Sequence, residues 1–181
     1  TTNGYVYAWG NDNFGGNITQ DLSGITELFA NEKAYCALKN DGKIFCWGDN
    51  STGGTTPSNI ENVIKVYSNK NAFTALLSNG TIHSWGSVNG DVPTTNNFID
   101  VFSTLDCFCG LKGDGTIESW GSSINSLNTT PNDISNVSMV FSNDNAFVAL
   151  TSNGYLYNWG DSSYGGTTNL STLDNIEKVF N

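Results

Sequence analysis

The segment DGKIFCWG at residues 41–48 decides the fold, because it occurs in five copies along a chain of 181 residues. Each copy reads Asn or Asp, Gly, any residue, an apolar residue, two further residues and then Trp-Gly. The other copies are NGYVYAWG at 3–10, NGTIHSWG at 79–86, DGTIESWG at 114–121 and NGYLYNWG at 153–160. They contain all five tryptophans, Trp9, Trp47, Trp85, Trp120 and Trp159, at spacings of 38, 38, 35 and 39 residues. A repeat of this period indicates a propeller, a solenoid or an array.

Each repeat also contains two apolar segments that precede the Trp-Gly copy. The first ends in an aromatic residue and occurs at Ile25–Phe29, Val63–Tyr67, Phe98–Phe102, Val137–Phe141 and Ile176–Phe180. The second occurs at Ala34–Leu38, Ala72–Leu76, Cys107–Leu111 and Ala146–Leu150. These segments are short, rich in β-branched and aromatic residues, and bounded by turn residues, which is typical of strands rather than helices. The sequence therefore predicts an all-β chain of three-stranded units.

The turn between the second and third strands can be predicted in detail. If Asn40, Asp41 and Gly42 form a three-residue loop, Lys39 faces Lys43 and Gly42 takes the left-handed position of a type I turn followed by a bulge. Glycine adopts a positive φ at little cost. The same position is filled by Gly80, Gly115 and Gly154.

Three strands cannot bury both of their faces, so neighbouring units must cover one another, as the blades of a β-propeller do. We expect the five tryptophans to pack between blades, and ligand stacking is the alternative. The complete blade units are 25–48, 63–86, 98–121 and 137–160, with partial units at 1–10 and 176–181. There are five first strands, five third strands and four second strands. We therefore interpret 1–181 as a single propeller domain or a fragment of a longer repeat chain, with a five-bladed ring as the alternative.

The stretch ALKNDGKIFCWGDNSTGGTTP at 37–57 resembles the RCC1-like repeats, and is most similar to the short, three-stranded type found in β-lactamase inhibitor protein II. The resemblance covers essentially the whole chain as repeats. It implies a propeller, with the five visible blades forming part of a seven-bladed ring, and a rigid disk that binds another protein through its loops. We therefore expect a non-enzymatic protein-interaction or scaffold module.

By the same resemblance, the binding residues lie in the loops between first and second strands. These loops are polar except for one leucine. The candidate binding residues are Asn31, Glu32, Lys33, Asn69, Lys70, Asn71, Thr104, Leu105, Asp106, Asn143, Asp144 and Asn145.

The sequence contains few residues suited to catalysis or metal binding. His83 is the only histidine and lies on a third strand, where the other repeats carry Tyr7, Phe45, Glu118 and Tyr157; we interpret it as a surface residue. One histidine excludes the usual multi-histidine zinc sites. Asp12, Asp49 and Asp161 lie in polar loops but lack the spacing of a calcium-binding EF-hand loop. We expect no enzymatic activity, no cofactor and no metal site.

The four cysteines are Cys36, Cys46, Cys107 and Cys109. The predicted hairpin register places Cys36 opposite Cys46, where a disulfide is geometrically feasible. Two reduced packing cysteines are the equally weighted alternative.

The net charge is −10, with seven basic and seventeen acidic residues. Nucleic acids are disfavoured as partners, because binding them depends on Lys and Arg. No apolar run is long enough to insert into a membrane. The polar loops, with Phe14 and Tyr164 exposed, support a second hypothesis of a carbohydrate-binding propeller or extracellular coat component. The compartment is undetermined, and an extracellular location is favoured over a cytoplasmic one.

Overall fold

Four three-stranded antiparallel sheets, blades 1 to 4, form most of the structure. The structure is a computed structural model that describes residues 4–18, 22–121, 130–131 and 134–166. Blade 1 contains β1 (Ile25–Ala30), β2 (Ala34–Lys39) and β3 (Ile44–Gly48), and blade 2 contains β4 (Val63–Ser68), β5 (Ala72–Leu77) and β6 (Ile82–Gly86). Blade 3 contains β7 (Phe98–Ser103), β8 (Cys107–Lys112) and β9 (Ile117–Gly121), and blade 4 contains β10 (Val137–Ser142), β11 (Ala146–Thr151) and β12 (Leu156–Gly160). The predicted all-β class and three-stranded units are confirmed.

The predicted third strand at 3–10 is wrong, since the described residues 4–10 form no strand. A strand requires a neighbour that accepts and donates its backbone hydrogen bonds, and no described segment pairs with 4–10 in a sheet. Trp9 is consequently 85% exposed instead of packing between blades. The predicted first strand at Ile176–Phe180 lies outside the described residues.

The predicted hairpin turn is confirmed. The Lys39 amide donates to the Lys43 carbonyl at 2.9 Å, and the Gly42 amide donates to the Lys39 carbonyl at 3.0 Å. Gly42 has a φ of +76°. The Asp41 carboxylate accepts from the Lys43 amide at 3.1 Å, which explains why Asn or Asp precedes this glycine in the repeats.

Each of the four described first strands contains a register shift near its start, which was not predicted from the sequence. The residue before each of these strands has a positive φ and is Gly24, Asn62, Asn97 or Asn136. Asparagine tolerates the left-handed region better than most residues. Asn62, Asn97 and Asn136 therefore have a structural role at the start of these strands.

The chain divides into two compact units, with the boundary between Val88 and Asn89. Unit 1 contains blades 1 and 2, and unit 2 contains blades 3 and 4. In unit 1, small and aliphatic side chains of blade 1, such as Ala34 and Cys36, pack against Phe73 and Trp85 of blade 2. In unit 2, Cys107 and Cys109 of blade 3 are in the same cluster as Phe147 and Trp159 of blade 4. The core of each unit is therefore the layer between its two blades.

Candidate interaction face

In unit 1, two tryptophans on third strands are held by the Gly-Gly turn that precedes their blade. The Trp47 indole N–H donates to the Gly15 carbonyl, and the Trp85 indole N–H donates to the Gly53 carbonyl, both at 3.1 Å. Each ring stacks on the aromatic residue opposite it, as in the pair Phe73 and Trp85, whose centroids are 5.5 Å apart. Trp120 and Trp159 are also buried. All four indoles are buried and are not available to a partner.

The Gly-Gly turns follow short 3-10 turns at Asp12–Phe14, Asn50–Thr52 and Ser162–Tyr164. Asp49 and Asp161 cap two of these turns. Their carboxylates accept hydrogen bonds from the amides of Ser51 and Ser163 at 2.8 Å. Hydrogen bonds from the Ser51 hydroxyl and amide lower the pKa of Asp49. Within the described ranges, no group of three or more His, Cys, Asp or Glu side chains could hold a metal ion.

The loops between first and second strands lie beside these 3-10 turns. The Asn31 amide group donates to the Thr52 carbonyl at 2.6 Å, and the Asn143 amide group donates to the Tyr164 carbonyl at 3.0 Å. The Lys33 ammonium lies 5.9 Å from the centre of the Phe14 ring. We call this edge of each unit the loop face; it consists of the first-to-second-strand loops and the 3-10 turns beside them.

The first residue of each predicted binding loop is structural. The Asn31 side-chain oxygen accepts from the amides of Lys33 and Ala34 at 3.0 and 2.8 Å. Asn143 makes the equivalent bonds in blade 4. Asn69 accepts from the Asn71 amide, and the Thr104 hydroxyl accepts from the Cys107 amide. Asn69 and Thr104 are also buried, so these four residues shape the loops.

The second and third residues of the loops provide the accessible side chains. Glu32, Lys70, Leu105, Asp106 and Asp144 are exposed, whereas Lys33, Asn71 and Asn145 are half-buried. The structure brings adjacent loops together within each unit. The Glu32 amide donates to the Lys70 carbonyl at 3.3 Å, and the Leu105 amide donates to the Asp144 carbonyl at 3.0 Å.

The two units differ in the charge of this face. The loops of unit 1 contain two lysines, Lys33 and Lys70, with Glu32, whereas those of unit 2 contain Asp106 and Asp144 without a basic residue. Each unit also has an exposed aromatic residue on a 3-10 turn, Phe14 in unit 1 and Tyr164 in unit 2. The exposure of these two rings was predicted from the sequence, but their position beside the loops was not. The signal was their shared place in the repeat, immediately before a Gly-Gly pair.

Asn31 tests the structural role of the loop-starting residue. Replacing Asn31 with alanine should lower the free energy of unfolding by about 2 kcal/mol, because two amides and one carbonyl lose a partly buried partner. Glu32→Ala is the control, and its effect should stay within about 0.5 kcal/mol, as for other exposed positions. Urea denaturation followed by circular dichroism measures both. Equal stability of the two variants would show that Asn31 does not hold the loop.

A second accessible surface is an aromatic cleft of about 300 Å³ in unit 1 that includes Trp9, Leu28 and Tyr35. Leu28 is 53% exposed, whereas the equivalent Val66 of blade 2 is 1% exposed. Likewise Tyr35 is 40% exposed, and the equivalent Phe73 is fully buried. Val66 and Phe73 face blade 1 in the core of unit 1. The cleft therefore has the chemistry of a blade-packing surface, and we do not assign a partner to it.

Two thiols and the imidazole have shifted pKa values. Burial raises the pKa of the Cys109 thiol to about 12. A hydrogen bond with Cys46, together with burial, raises the pKa of the Cys36 thiol. His83 is exposed, and partial desolvation lowers its pKa. At neutral pH these thiols are protonated and are therefore poor nucleophiles.

Comparison with known proteins supports the resemblance inferred from the sequence. A family model described as "Regulator of chromosome condensation (RCC1) repeat" matches residues 25–53. A search of curated proteins gives no significant match. The helical segments in the described part of the chain are 3-10 turns of three residues, and none is long enough to cross a bilayer.

Three solved structures have a similar fold. The CRINKLY WD40 ectodomain of the Arabidopsis thaliana receptor kinase ACR4 is 18% identical, with a TM-score of 0.63 over 96% of this chain and 61% of that chain. Yeast RCC1 (Prp20) bound to Kap60 is 19% identical, with a TM-score of 0.61 over 87% of this chain and 50% of that chain. Prp20p from Saccharomyces cerevisiae, solved in a study that also concerns its binding to Gsp1p and histones, is 18% identical, with a TM-score of 0.61 over 84% and 52% of the two chains. This chain thus spans 50 to 61% of their length. The predicted RCC1-like β-propeller fold is confirmed.

Proposed function

We propose that this chain of RCC1-like blades is a non-enzymatic protein-interaction module that binds its partner through the loop face. The observation that supports the proposal is that the first residue of each loop and the residue after it have different roles. The first residue holds the backbone through side-chain hydrogen bonds, whereas the second residue (Glu32, Lys70, Leu105 or Asp144) differs from repeat to repeat and is exposed to solvent. Variable side chains on a rigid scaffold are typical of binding surfaces.

Rigidity and side-chain chemistry both favour this face. A backbone held by hydrogen bonds between neighbouring loops loses little conformational entropy on association. In unit 2, Leu105 and Tyr164 are large exposed apolar residues, and Asp106 and Asp144 are exposed charges. Buried aromatic anchors surrounded by a polar rim are characteristic of protein interfaces. The acidic charge of this face in unit 2 favours a partner with a basic patch.

The similar structures agree with this proposal at the level of fold. Yeast RCC1 (Prp20) was solved in a complex with another protein, Kap60. Functions vary widely among proteins that share a fold. The proposal therefore rests on the residues of the loop face of this chain.

The interaction can be tested with a variant of the loop face in unit 2. We expect the double variant Leu105→Ala, Tyr164→Ala to bind a captured protein partner at least about tenfold more weakly than the unchanged chain, equivalent to about 1.4 kcal/mol. The immobilised chain would first be used to isolate partners from an extract of its source. Surface plasmon resonance would then measure the affinity of each purified partner for the unchanged chain and the variants.

The control variant is Lys43→Ala, Glu61→Ala, because these exposed residues belong to the hairpin turn and its neighbouring segment instead of the loop face. Its affinity should be unchanged. If no isolated protein is sensitive to the loop-face substitutions, the proposal is wrong. A glycan array distinguishes the second hypothesis, since sugar binding lost in Tyr164→Ala, without any protein partner, would identify a carbohydrate-binding surface.

A further inference from the structure

Cys36 and Cys46 are adjacent thiols in the core of unit 1. They lie directly opposite each other on β2 and β3, and their sulfur atoms are 2.9 Å apart. Both are buried free cysteines. The hydrogen bond from the Lys39 amide to the Lys43 carbonyl sets the register of the hairpin. This register places the two thiols opposite each other.

The type of strand pair determines whether a bond between the two sulfurs is feasible. The Cys46 amide donates to the Thr56 hydroxyl at 2.8 Å instead of to Cys36. Since hydrogen-bonded and non-hydrogen-bonded pairs alternate in antiparallel strands, this places Cys36 and Cys46 at a non-hydrogen-bonded pair. Such pairs have Cα atoms about 4.5 Å apart and the closest side chains. Disulfides span Cα separations of about 4.4–6.8 Å, so the bond needs no movement of the strands.

The residue pairs equivalent to Cys36 and Cys46 in the other blades show which side chains this place in the hairpin accepts. In blade 2 it is filled by Thr74 and Ser84, whose hydroxyl oxygens are 2.7 Å apart. In blade 3 Cys109 lies opposite Ser119. These pairs consist of two small side chains, whereas blade 4 has Val148 opposite Asn158. Cys107 lies opposite Gly121, so Cys107 and Cys109 each lack a thiol across the strand pair.

We propose that Cys36 and Cys46 form a cross-strand disulfide when the chain folds in the presence of a small-molecule disulfide such as oxidised glutathione, and that Cys107 and Cys109 remain thiols. In the reaction one protein thiolate attacks the oxidant to give a mixed disulfide and one reduced glutathione. The second protein thiol then displaces the other glutathione. The two protein sulfurs lose two electrons and two protons in total, and one oxidised glutathione becomes two reduced molecules.

The burial of this pair controls when the reaction occurs. Only the thiolate attacks a disulfide, and the pKa of Cys36 is raised by its hydrogen bond with Cys46 and by burial. The folded dithiol is therefore slow to exchange. The bond forms while the hairpin is assembling or transiently open, and is then shielded from reductant by blade 2, whose Phe73 and Trp85 are in the same cluster.

The proposal can be tested by refolding the reduced chain at fixed ratios of reduced to oxidised glutathione. After acid quenching and alkylation in denaturant, peptide mass spectrometry identifies which cysteines are joined. We expect the Cys36–Cys46 disulfide to be at least about tenfold more populated, relative to the dithiol, in native buffer than in denaturant, since the folded strands hold the sulfurs together. Cys107 and Cys109 should be alkylated in full.

The matched variant is Cys36→Thr, Cys46→Ser, which copies the Thr74–Ser84 pair of blade 2. It should fold, and no intramolecular disulfide should form in it under the same conditions. The proposal is overturned if four thiols persist in the refolded chain, if the population of the Cys36–Cys46 bond is the same in denaturant, or if Cys107 or Cys109 is oxidised in its place.

Discussion

Replacing Trp85 with alanine should lower the free energy of unfolding by about 3–5 kcal/mol, which is the usual cost of removing a buried aromatic side chain. Trp85 is buried between blades 1 and 2, stacks on Phe73, and donates its indole N–H to the Gly53 carbonyl. Alanine removes these contacts and leaves a cavity in the layer that joins the two blades. Urea denaturation followed by far-ultraviolet circular dichroism measures the change.

Trp9 provides a matched control for this experiment, because it occupies the same position in the repeat but is exposed. Trp9→Ala should change the stability by no more than about 0.5 kcal/mol. Trp85→Phe separates the two contributions, since phenylalanine can still stack on Phe73 but cannot donate to Gly53. Similar losses in Trp85→Ala and Trp9→Ala would show that the blade layer does not depend on the tryptophan.

Replacing Gly48 with alanine should destabilise the chain by about 3 kcal/mol, from backbone strain and overpacking together. Gly48 has a φ of +109°. A Cβ atom added there would lie 2.6 Å from the Lys33 carbonyl oxygen and 2.8 Å from the Ala34 Cα atom. Neither backbone atom can move easily, because Lys33 and Ala34 are bound by the Asn31 side chain.

Gly10 separates the two causes in the Gly48 experiment. It has a φ of +121°, but an added Cβ would meet no described atom within 4 Å. Gly10→Ala should therefore show only the backbone strain, about 1 kcal/mol, and the difference between the variants measures the clash. Thermal and urea unfolding of both variants provide the comparison. If Gly48→Ala is no less stable than Gly10→Ala, the close approach is not the reason that glycine follows tryptophan.

Local sequence signals predicted much of the blade structure. The short apolar segments rich in β-branched and aromatic residues predicted the strands to within one residue at most ends, and Asn40-Asp41-Gly42 predicted the hairpin register. These features depend on residues within a few positions of each other, so a single repeat contains the information. The register in turn predicted that Cys36 lies opposite Cys46, which the structure confirms.

Contacts between distant residues were not predictable in the same way. Tyr164 lies beside a loop because its carbonyl accepts from Asn143, 21 positions away. Phe14 lies beside a loop through the Lys33 ammonium, 19 positions away. The loop residues Asn31 and Asn143 are predicted binding residues, and their side chains also hold the 3-10 turns. A polar side chain in a loop can serve either purpose, and only its neighbours distinguish them.

By itself, the sequence determined the blade: its strands, its hairpin and the places of tryptophan and glycine, because strand period and turn chemistry are local. The tertiary structure decided which copies of the Trp-Gly motif are used in packing. Trp47 and Trp85 are buried because a Gly-Gly turn accepts their indole N–H and a neighbouring strand stacks on the ring. Trp9 has the same motif but no described strand beside it, and it is therefore exposed. Burial depends on the surface that covers a residue, and a local motif does not specify that surface.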